Sequence, residues 1–254
     1  MSRYARVMKK LEELRLNSLK DNLDEYIELI NKGKKDVLES LEELLEFEIR
    51  HRKSKAESQC IKVANFPFQK DFSDYDFDYQ PSVNSKEIME FKNLRFIEKK
   101  ENIILVGNSG VGKTHLAVAI GRECSRNGYS TYFITCHDLL MNLKKAHLEN
   151  RLEIRLNHYR KYRVLIIDEI GYLPFDISAA NMLFQLINKR YTRNSTIITT
   201  NSSFSKWAEI FGDTVIANAI LDRLLHHSNV INITGNSYRT RNILSLNEKR
   251  QKRQ

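Results

Sequence analysis

The stretch Asn102-Ile103-Ile104-Leu105-Val106-Gly107-Asn108-Ser109-Gly110-Val111-Gly112-Lys113-Thr114-His115-Leu116-Ala117-Val118-Ala119-Ile120 reads as an apolar strand, a glycine-rich turn and an opening helix. Its centre fills every fixed position of G-x-x-x-x-G-K-[ST], with the strand before and the helix after that the pattern requires. Glycines let consecutive backbone N–H groups converge on an anion, and the helix that follows offers its partial positive end to the same point. The phosphate-binding set is therefore Gly107, Asn108, Ser109, Gly110, Val111, Gly112, Lys113, Thr114 and His115. In such a loop the lysine reaches the β- and γ-phosphates and the hydroxyl of Thr114 ligates Mg²⁺. The expectation is a nucleoside-triphosphate site.

Two further strands support it. Val164-Leu165-Ile166-Ile167-Asp168-Glu169 is an unbroken apolar run ending in two carboxylates, as a central parallel strand buried on both faces would be. Carboxylates at its end fall in the crevice where open α/β sheets bind ligands. Asp168 is the expected Mg²⁺ partner, and Glu169 the base that polarises an attacking water. Ser195-Thr196-Ile197-Ile198-Thr199-Thr200 then ends in Asn201, placed to bond the water or the γ-phosphate. Asn-Ser-Ser is also ordinary turn chemistry, so position alone gives Asn201 its functional reading.

Strands expected at 102–107, 130–135, 164–168, 195–200 and 229–233 alternate with helices, which predicts an α/β fold with a five-stranded parallel sheet covered on both faces. Residues 1–59 read as a small all-α domain that binds a partner or DNA. Val37, Leu38, Leu41, Leu44, Leu45 and Ile49 share one helical face there; Val7, Leu11 and Leu14 mark a second helix, and Leu23, Ile27 and Ile30 a third. Residues 60–84 hold Pro67, Pro81 and a run of aromatics interleaved with acids from Phe72 to Tyr79. This linker is too aromatic to be merely disordered, so it should lie on the nucleotide-binding domain, either with Phe77 or Tyr79 near the adenine or packed there without touching the nucleotide. The ATPase domain is expected at 85–246 and a basic tail at 247–254. Between the second and third strands, 137–161 has room for two helices, packed through Leu139, Leu140, Leu143, Leu148, Leu152 and Leu156. Their lysines and arginines fit either a solvated face or a DNA-backbone contact.

The chain has 254 residues, 41% of them hydrophobic, and a formal net charge of +9, which suits a polyanionic partner. No apolar run approaches the ~18 residues of a membrane span. Cys60, Cys124 and Cys136 lack ligand spacing, which argues for reduced thiols in a cytoplasm and against zinc.

With these residues in view the chain resembles the IstB family, ATPase helpers of bacterial insertion sequences, which stand with the DnaC-like helicase loaders in the initiator clade of AAA+ ATPases. The resemblance runs from about Asn65 onward. It is carried by Gly112-Lys113-Thr114-His115-Leu116-Ala117, by the run from Leu165 to Pro174, and by the run from Phe204 to Gly212. The runs from Ala219 to His227 and from Gly235 to Arg239 extend it. It implies ATP and Mg²⁺ as cofactors, an ATP-dependent homo-oligomer on duplex DNA, and recruitment of a transposase encoded by the same element. It implies Arg223 as the arginine finger of a neighbouring subunit's site and raises Arg239 as a second sensor, although the family lacks the full helical lid. The tail from Lys249 to Arg253 is expected to touch DNA. A replicative helicase loader is the nearest alternative. A small-molecule kinase would need a lid of arginines and a second-substrate pocket, and neither is legible.

Overall fold

The computed structural model describes residues 1–172 and 174–241. Leu173, within one of the family-like runs, lies outside them, as do the last residues of the expected ATPase domain and the basic tail at 247–254. The chain divides into two compact units, Met1–Gln59 and the residues from Cys60 onward. Helices α1 (Arg3–Glu13), α2 (Asn17–Asn31) and α3 (Val37–Val63) come first, and the division falls within α3. In the first unit Leu19, Tyr26 and Leu44 are buried, with Leu11, Leu16, Leu23 and Phe47 against them.

That core corrects the expected helical faces. Of the six apolar residues assigned to one face of α3 only Leu44 is buried, while Val37, Leu38, Leu41, Leu45 and Ile49 are exposed. Val7, Leu14 and Ile27 are exposed as well. The inward face of α3 runs instead through Ser40, Leu44 and Glu48, because Glu48 must reach the start of α2.

The second unit continues with α4 (Ser85–Glu90), α5 (Arg95–Glu98), β1 (Asn102–Gly107), α6 (Lys113–Arg126), β2 (Thr131–Thr135), α7 (Cys136–Leu148) and α8 (Leu152–Arg160). It closes with β3 (Val164–Ile170), α9 (Ile177–Arg190), β4 (Ser195–Thr200), α10 (Trp207–Phe211), α11 (Thr214–Leu225) and β5 (Ser228–Ile233). All five strands are parallel, in the order β2-β3-β4-β1-β5. Strand positions agree with the sequence expectation to within two residues at each end. Alternate residues serve opposite faces. Ile103, Leu105, Ile166 and Ile197 pack with α6, whereas Ile104, Leu165, Ile167 and Ile198 pack with α7 to α11. Burial on both sides is why these strands read as continuous apolar runs.

The stretch from Asn65 to Val83 belongs to the first of these layers. Phe72, Tyr75 and Val83 are buried there. Asn65 Nδ2 donates to the carbonyl of Phe133 on β2 at 3.1 Å. On the other face Leu139, Leu143 and Leu156 are fully buried, but Leu148, expected to pack with them, stands in solvent at the last turn of α7. Arg190 is buried at the foot of the sheet with no carboxylate partner among the described residues; its guanidinium donates to the carbonyls of Tyr159 and Tyr162, both at 2.9 Å, and to Thr196 Oγ1 at 3.0 Å. Those carbonyls, freed at the end of α8, spread the charge and tie α8, α9 and β4 together.

In the first unit one ion pair closes the α1–α2 corner from both sides. Glu48, on α3, accepts from the backbone N–H of Ser18 at 2.9 Å and of Leu19 at 3.3 Å, capping α2 across the bundle. Arg52 Nε donates to Glu48 at 2.8 Å, and its Nη2 donates to the carbonyls of Leu14 and Arg15 at the end of α1. Burial works to raise the Glu48 carboxyl, but Arg52 and the two amides outweigh it and hold it below the usual carboxylate range. A depressed carboxyl contributes stability above its unfolded pKa of about 4.3 and loses it as pH falls through the lower folded value. Glu48→Ala should cost about 1–2 kcal/mol, the scale of a lost helix cap. Thermal melts followed by far-UV circular dichroism at neutral pH check this, and the difference between variant and wild type should vanish in acid. A difference that persists below the folded pKa would place the effect in packing rather than charge.

Candidate functional site

Strands β1 and β3 end at the same edge of the sheet with β4 between them, so the glycine-rich turn and the two carboxylates are brought to one cleft. A cavity of about 280 Å³ opens there, and Ser109, Gly110, Val111, Gly112, Lys113, Thr114 and His115 all line it. Glu169, Thr199, Asn201 and Arg239 line it too. Gly107 and Asn108 sit at the foot of the turn, and their carbonyls accept from Lys113 Nζ at 2.8 and 2.7 Å. At Gly107 a Cβ would lie 2.2 Å from the carbonyl oxygen of Ile233 on β5. Gly112 has φ +99 and is pressed against the Tyr75 ring. No side chain fits either place, so the turn can close tightly around an anion. Burial draws the Lys113 amine below its usual value, Asp168 and Glu169 pull it back up, and the charge of Arg239 adds to the lowering.

The carboxylates are positioned by an irregularity in the sheet. Ile167 pairs with Ile198 and Ile170 with Thr200, so Asp168 and Glu169 stand opposite Thr199 alone. This bulge turns Glu169 out of the sheet into a left-handed backbone at φ +62, with an exposed side chain. Left-handed backbone at a non-glycine residue is strained and persists only where its surroundings impose it. Here the imposing group is Thr199. Its buried hydroxyl donates to Asp168 Oδ1 at 2.6 Å and accepts from the Glu169 N–H at 2.9 Å. Thr114 Oγ1 reaches the same carboxylate, 3.0 and 3.1 Å from its two oxygens. Burial raises the Asp168 carboxyl, against the lowering effect of these hydroxyls. A hydroxyl and a carboxylate side by side form a hard, all-oxygen donor pair of the kind Mg²⁺ accepts. Among the described residues no group of three or more His, Cys, Asp or Glu forms a metal cage, so a Mg²⁺ here would complete its shell with phosphate and water oxygens.

Two segments roof the cavity. Tyr75 donates to the carbonyl of Val111 at 3.1 Å, and its burial pushes the phenol up to about 12, so it stays a donor. His115 meets Tyr75 edge-on with centroids 5.3 Å apart, and its Nε2 lies 3.1 Å from the Asp71 carbonyl. Burial lowers the imidazole, and facing a carbonyl this nitrogen must carry the proton. Asp71 in turn holds Arg122 and Arg126 of α6, each at 2.8 Å. The segment after β5 forms the other half. Tyr238 N–H donates to the Gly110 carbonyl at 2.9 Å, and Gln80 Nε2 to that of Asn236 at 2.8 Å. Phe77 and Tyr79, the candidates for the adenine, stand one layer back. Phe77 packs on Tyr75 at 4.8 Å and Tyr79 on Tyr238 at 5.3 Å, and the aromatic rings that line the cavity are Phe68, Tyr75, Tyr172 and Tyr238. The missed clue lay in spacing, since Tyr75 and Tyr79 face different neighbours in an irregular loop that has no period to read.

Arg223 is not brought to this cleft. On α11 its Nε donates to Asn188 Oδ1 at 2.9 Å, its Nη1 to the Ala219 carbonyl at 3.1 Å, and its guanidinium lies 4.7 Å from the Phe184 ring centroid. Asn201, at the tip of β4, lines the cavity and accepts from Ser202 Oγ at 3.2 Å. Thr199 escaped the sequence reading because a threonine inside an apolar strand carries no signal until its partner strand is known.

The family described as IstB-like ATP binding protein matches residues 9–245. An ATP-binding protein of insertion sequence IS232 from Bacillus thuringiensis subsp. berliner is 47% identical over 242 residues, covering 95% of this chain and 97% of that protein. One of insertion sequence IS5376 from Geobacillus stearothermophilus is 48% identical over 216 residues, covering 85% and 86%. Among solved structures, the DnaC helicase loader superposes with a TM-score of 0.52 at 27% identity, covering 59% of this chain and 87% of its own. Apart from Leu173 the runs named above all fall within the described residues, and the five-stranded parallel sheet with its flanking helices matches the AAA+ P-loop fold.

Thr199→Val keeps the shape of the strand and removes the hydroxyl that serves both carboxylates. It should cost about 1–3 kcal/mol, the penalty of leaving a buried carboxylate short of a donor, whereas Thr199→Ser should lose little. Thermal unfolding measures the cost. Equal melting temperatures for Thr199→Val and wild type would show that the hydroxyl does not hold the bulge.

Proposed function

The chain belongs to the IstB-like ATP-binding protein family, and from that premise we propose that it is an ATPase that assembles on duplex DNA and recruits a transposase. The observation that carries this is the convergence of Lys113, Thr114 and Glu169 on one cavity, with Asp168 bonded to Thr114 just behind its wall and the bulge presenting Glu169 to it. Lys113 would exchange the loop carbonyls for the β- and γ-phosphates. Thr114 and Asp168 would hold Mg²⁺, which neutralises charge building on the phosphate oxygens. Glu169, exposed and turned out of the strand, is free to take a proton from water while Asn201 orients that water. Two protonation sites lie side by side with different duties: Asp168 is enclosed by hydroxyls, and Glu169 is open to the cavity.

Arg223 supports an assembled enzyme. Its place on α11, outside its own cleft, fits a cation offered to the site of a second copy, where it would stabilise the transferring phosphoryl group in trans. Hydrolysis then depends on neighbours, and neighbours on a shared scaffold. The net charge of +9 and Lys145, Arg151 and Arg155 around α7 and α8, without an ion partner among the described residues, favour duplex DNA as that scaffold. The insertion-sequence relatives point to a transposase as the protein partner. The likeness to the DnaC helicase loader supports a second reading, a loader that binds single strands and a hexameric helicase.

Sedimentation with a long duplex separates these readings. Wild type should form a large complex with ATP but not with ADP. Lys113→Ala should form none under either, and Glu169→Gln should form one with ATP that does not decay. Single-strand binding without duplex binding would favour the loader. For Arg223→Ala, ATP binding should persist while turnover falls by about 10³-fold or more, the worth of an arginine finger. Mixing it with Lys113→Ala, which still offers Arg223, should restore part of the turnover. Failure to restore any would place Arg223 outside catalysis in trans.

A further inference from the structure

Arg223 is fixed on α11 by groups that leave its charge intact. Phe184 and Asn188 stand four residues apart on α9, and Ala219 and Arg223 four apart on α11, so each pair shares one helical face. The two helices pack side by side. Across their junction Arg223 Nε donates to Asn188 Oδ1 at 2.9 Å and Nη1 to the Ala219 carbonyl at 3.1 Å, while the guanidinium lies over the half-buried Phe184 ring. Nη2 keeps both of its N–H bonds without an acceptor among the described residues. All three holding groups are uncharged. Asp222 is next in sequence, but neighbouring helical positions do not face each other, and no carboxylate among the described residues pairs with Arg223. An arginine whose work is to join two helices does so most strongly through a carboxylate. This one is fastened by neutral groups and keeps its full charge.

We propose that Asn188 and Phe184 are positioning residues, which hold Arg223 fast and fully charged for the triphosphate bound by a second copy. This rests on the reading of Arg223 as a cation acting in trans. A free arginine side chain explores many rotamers, and freezing it in the transition state would subtract from the stabilisation it gives. Fastening Nε and Nη1 beforehand removes that cost and leaves Nη2 to meet a phosphoryl oxygen. The neutrality of the partners matters as much as the fastening. A carboxylate in place of the Asn188 amide would hold the arginine at least as firmly, but it would cancel the charge that the transferring phosphoryl group needs. The aromatic face adds contact with the flat cation without neutralising it. Position and charge thus make separate demands, and Asn188, itself exposed, meets both.

The test is steady-state ATP hydrolysis by the full chain with a long duplex, reading kcat and KM separately. Asn188→Leu removes the acceptor, and Asn188→Asp keeps an acceptor while adding a charge. Each should lower kcat by about ten- to a hundredfold, the scale of a misplaced or neutralised partner in the transition state, with KM and thermal melts close to wild type. Phe184→Leu should also lower kcat, by less, and Phe184→Tyr, which keeps the ring, should recover it. Mixing Asn188→Leu with Lys113→Ala, which offers an intact Arg223 and its holders, should restore part of the turnover. Because Asn188 acts through Arg223, adding Asn188→Leu to Arg223→Ala should cost nothing further. Two failures are distinct. Full turnover by Arg223→Ala, or no recovery of it on mixing, would remove the trans reading and this proposal with it. A loss in Arg223→Ala that mixing repairs, beside wild-type turnover by Asn188→Leu, Asn188→Asp or Phe184→Leu, would overturn the positioning role alone. So would losses that add in the double variant, or a loss that mixing repairs for Arg223→Ala but not for Asn188→Leu.

Discussion

Strand β4 lies between the strand that ends in the anion-binding turn and the strand that ends in two carboxylates, and the site depends on that insertion. It sets Thr114 and Asp168 within one hydrogen bond of each other across the sheet edge. It also supplies the single hydroxyl, Thr199, around which the bulge in β3 is built. A regular β3 would alternate its side chains, sending Asp168 and Glu169 to opposite faces of the sheet. The bulge breaks that alternation at the edge where strand pairing ends. One carboxylate stays buried among hydroxyls while its neighbour turns toward solvent. The two acids thus acquire different environments, and different environments allow adjacent carboxylates to do different chemistry.

The roof of the cavity is assembled from segments far apart in the chain. The loop around Tyr75 and the segment after β5 meet at Gln80 and Asn236, and Tyr238 bonds back to the glycine turn itself. Because Asp71 binds Arg122 and Arg126 on α6, the same loop is tied to the helix that begins at Lys113. Nucleotide contacts at the turn would therefore be felt along α6 and in both roof segments. The small helical unit works by a different economy. Its core is three buried apolar residues with a few half-buried neighbours, too few to order three helices by burial alone. A charge pair that caps one helix and closes the end of another makes up part of the difference.

Much of the candidate site was legible because its polar residues fall in short contiguous runs. A glycine turn needs Gly107 and Gly112 wherever it occurs, and Lys113 and Thr114 follow it in sequence. Asp168 and Glu169 terminate a strand whose unbroken apolar run betrays burial on both faces. Which of the linker's aromatics would face the cavity was not legible: Tyr75 lines it while Phe77 and Tyr79 pack one layer back, and an irregular loop has no period from which to infer facing. The inward face of α3 was misjudged for another reason. Its apolar residues do share a stripe, but Glu48 has two amide donors and a guanidinium to meet, and those fixed the rotation of the helix.

Local pattern alone determined the five parallel strands, the glycine-rich turn, the paired carboxylates and the helical character of the first 59 residues. Each of these follows from periodicity or from the conformational needs of glycine, which act between residues adjacent in sequence. Tertiary structure decided that Thr199 serves both acids, that Glu169 leaves the strand, that Arg223 lies away from its own cleft, and which face of α3 turns inward. Those outcomes rest on hydrogen bonds and packing between residues about 30 apart in the chain, set by the order in which strands and helices lie side by side, and no single segment records that order.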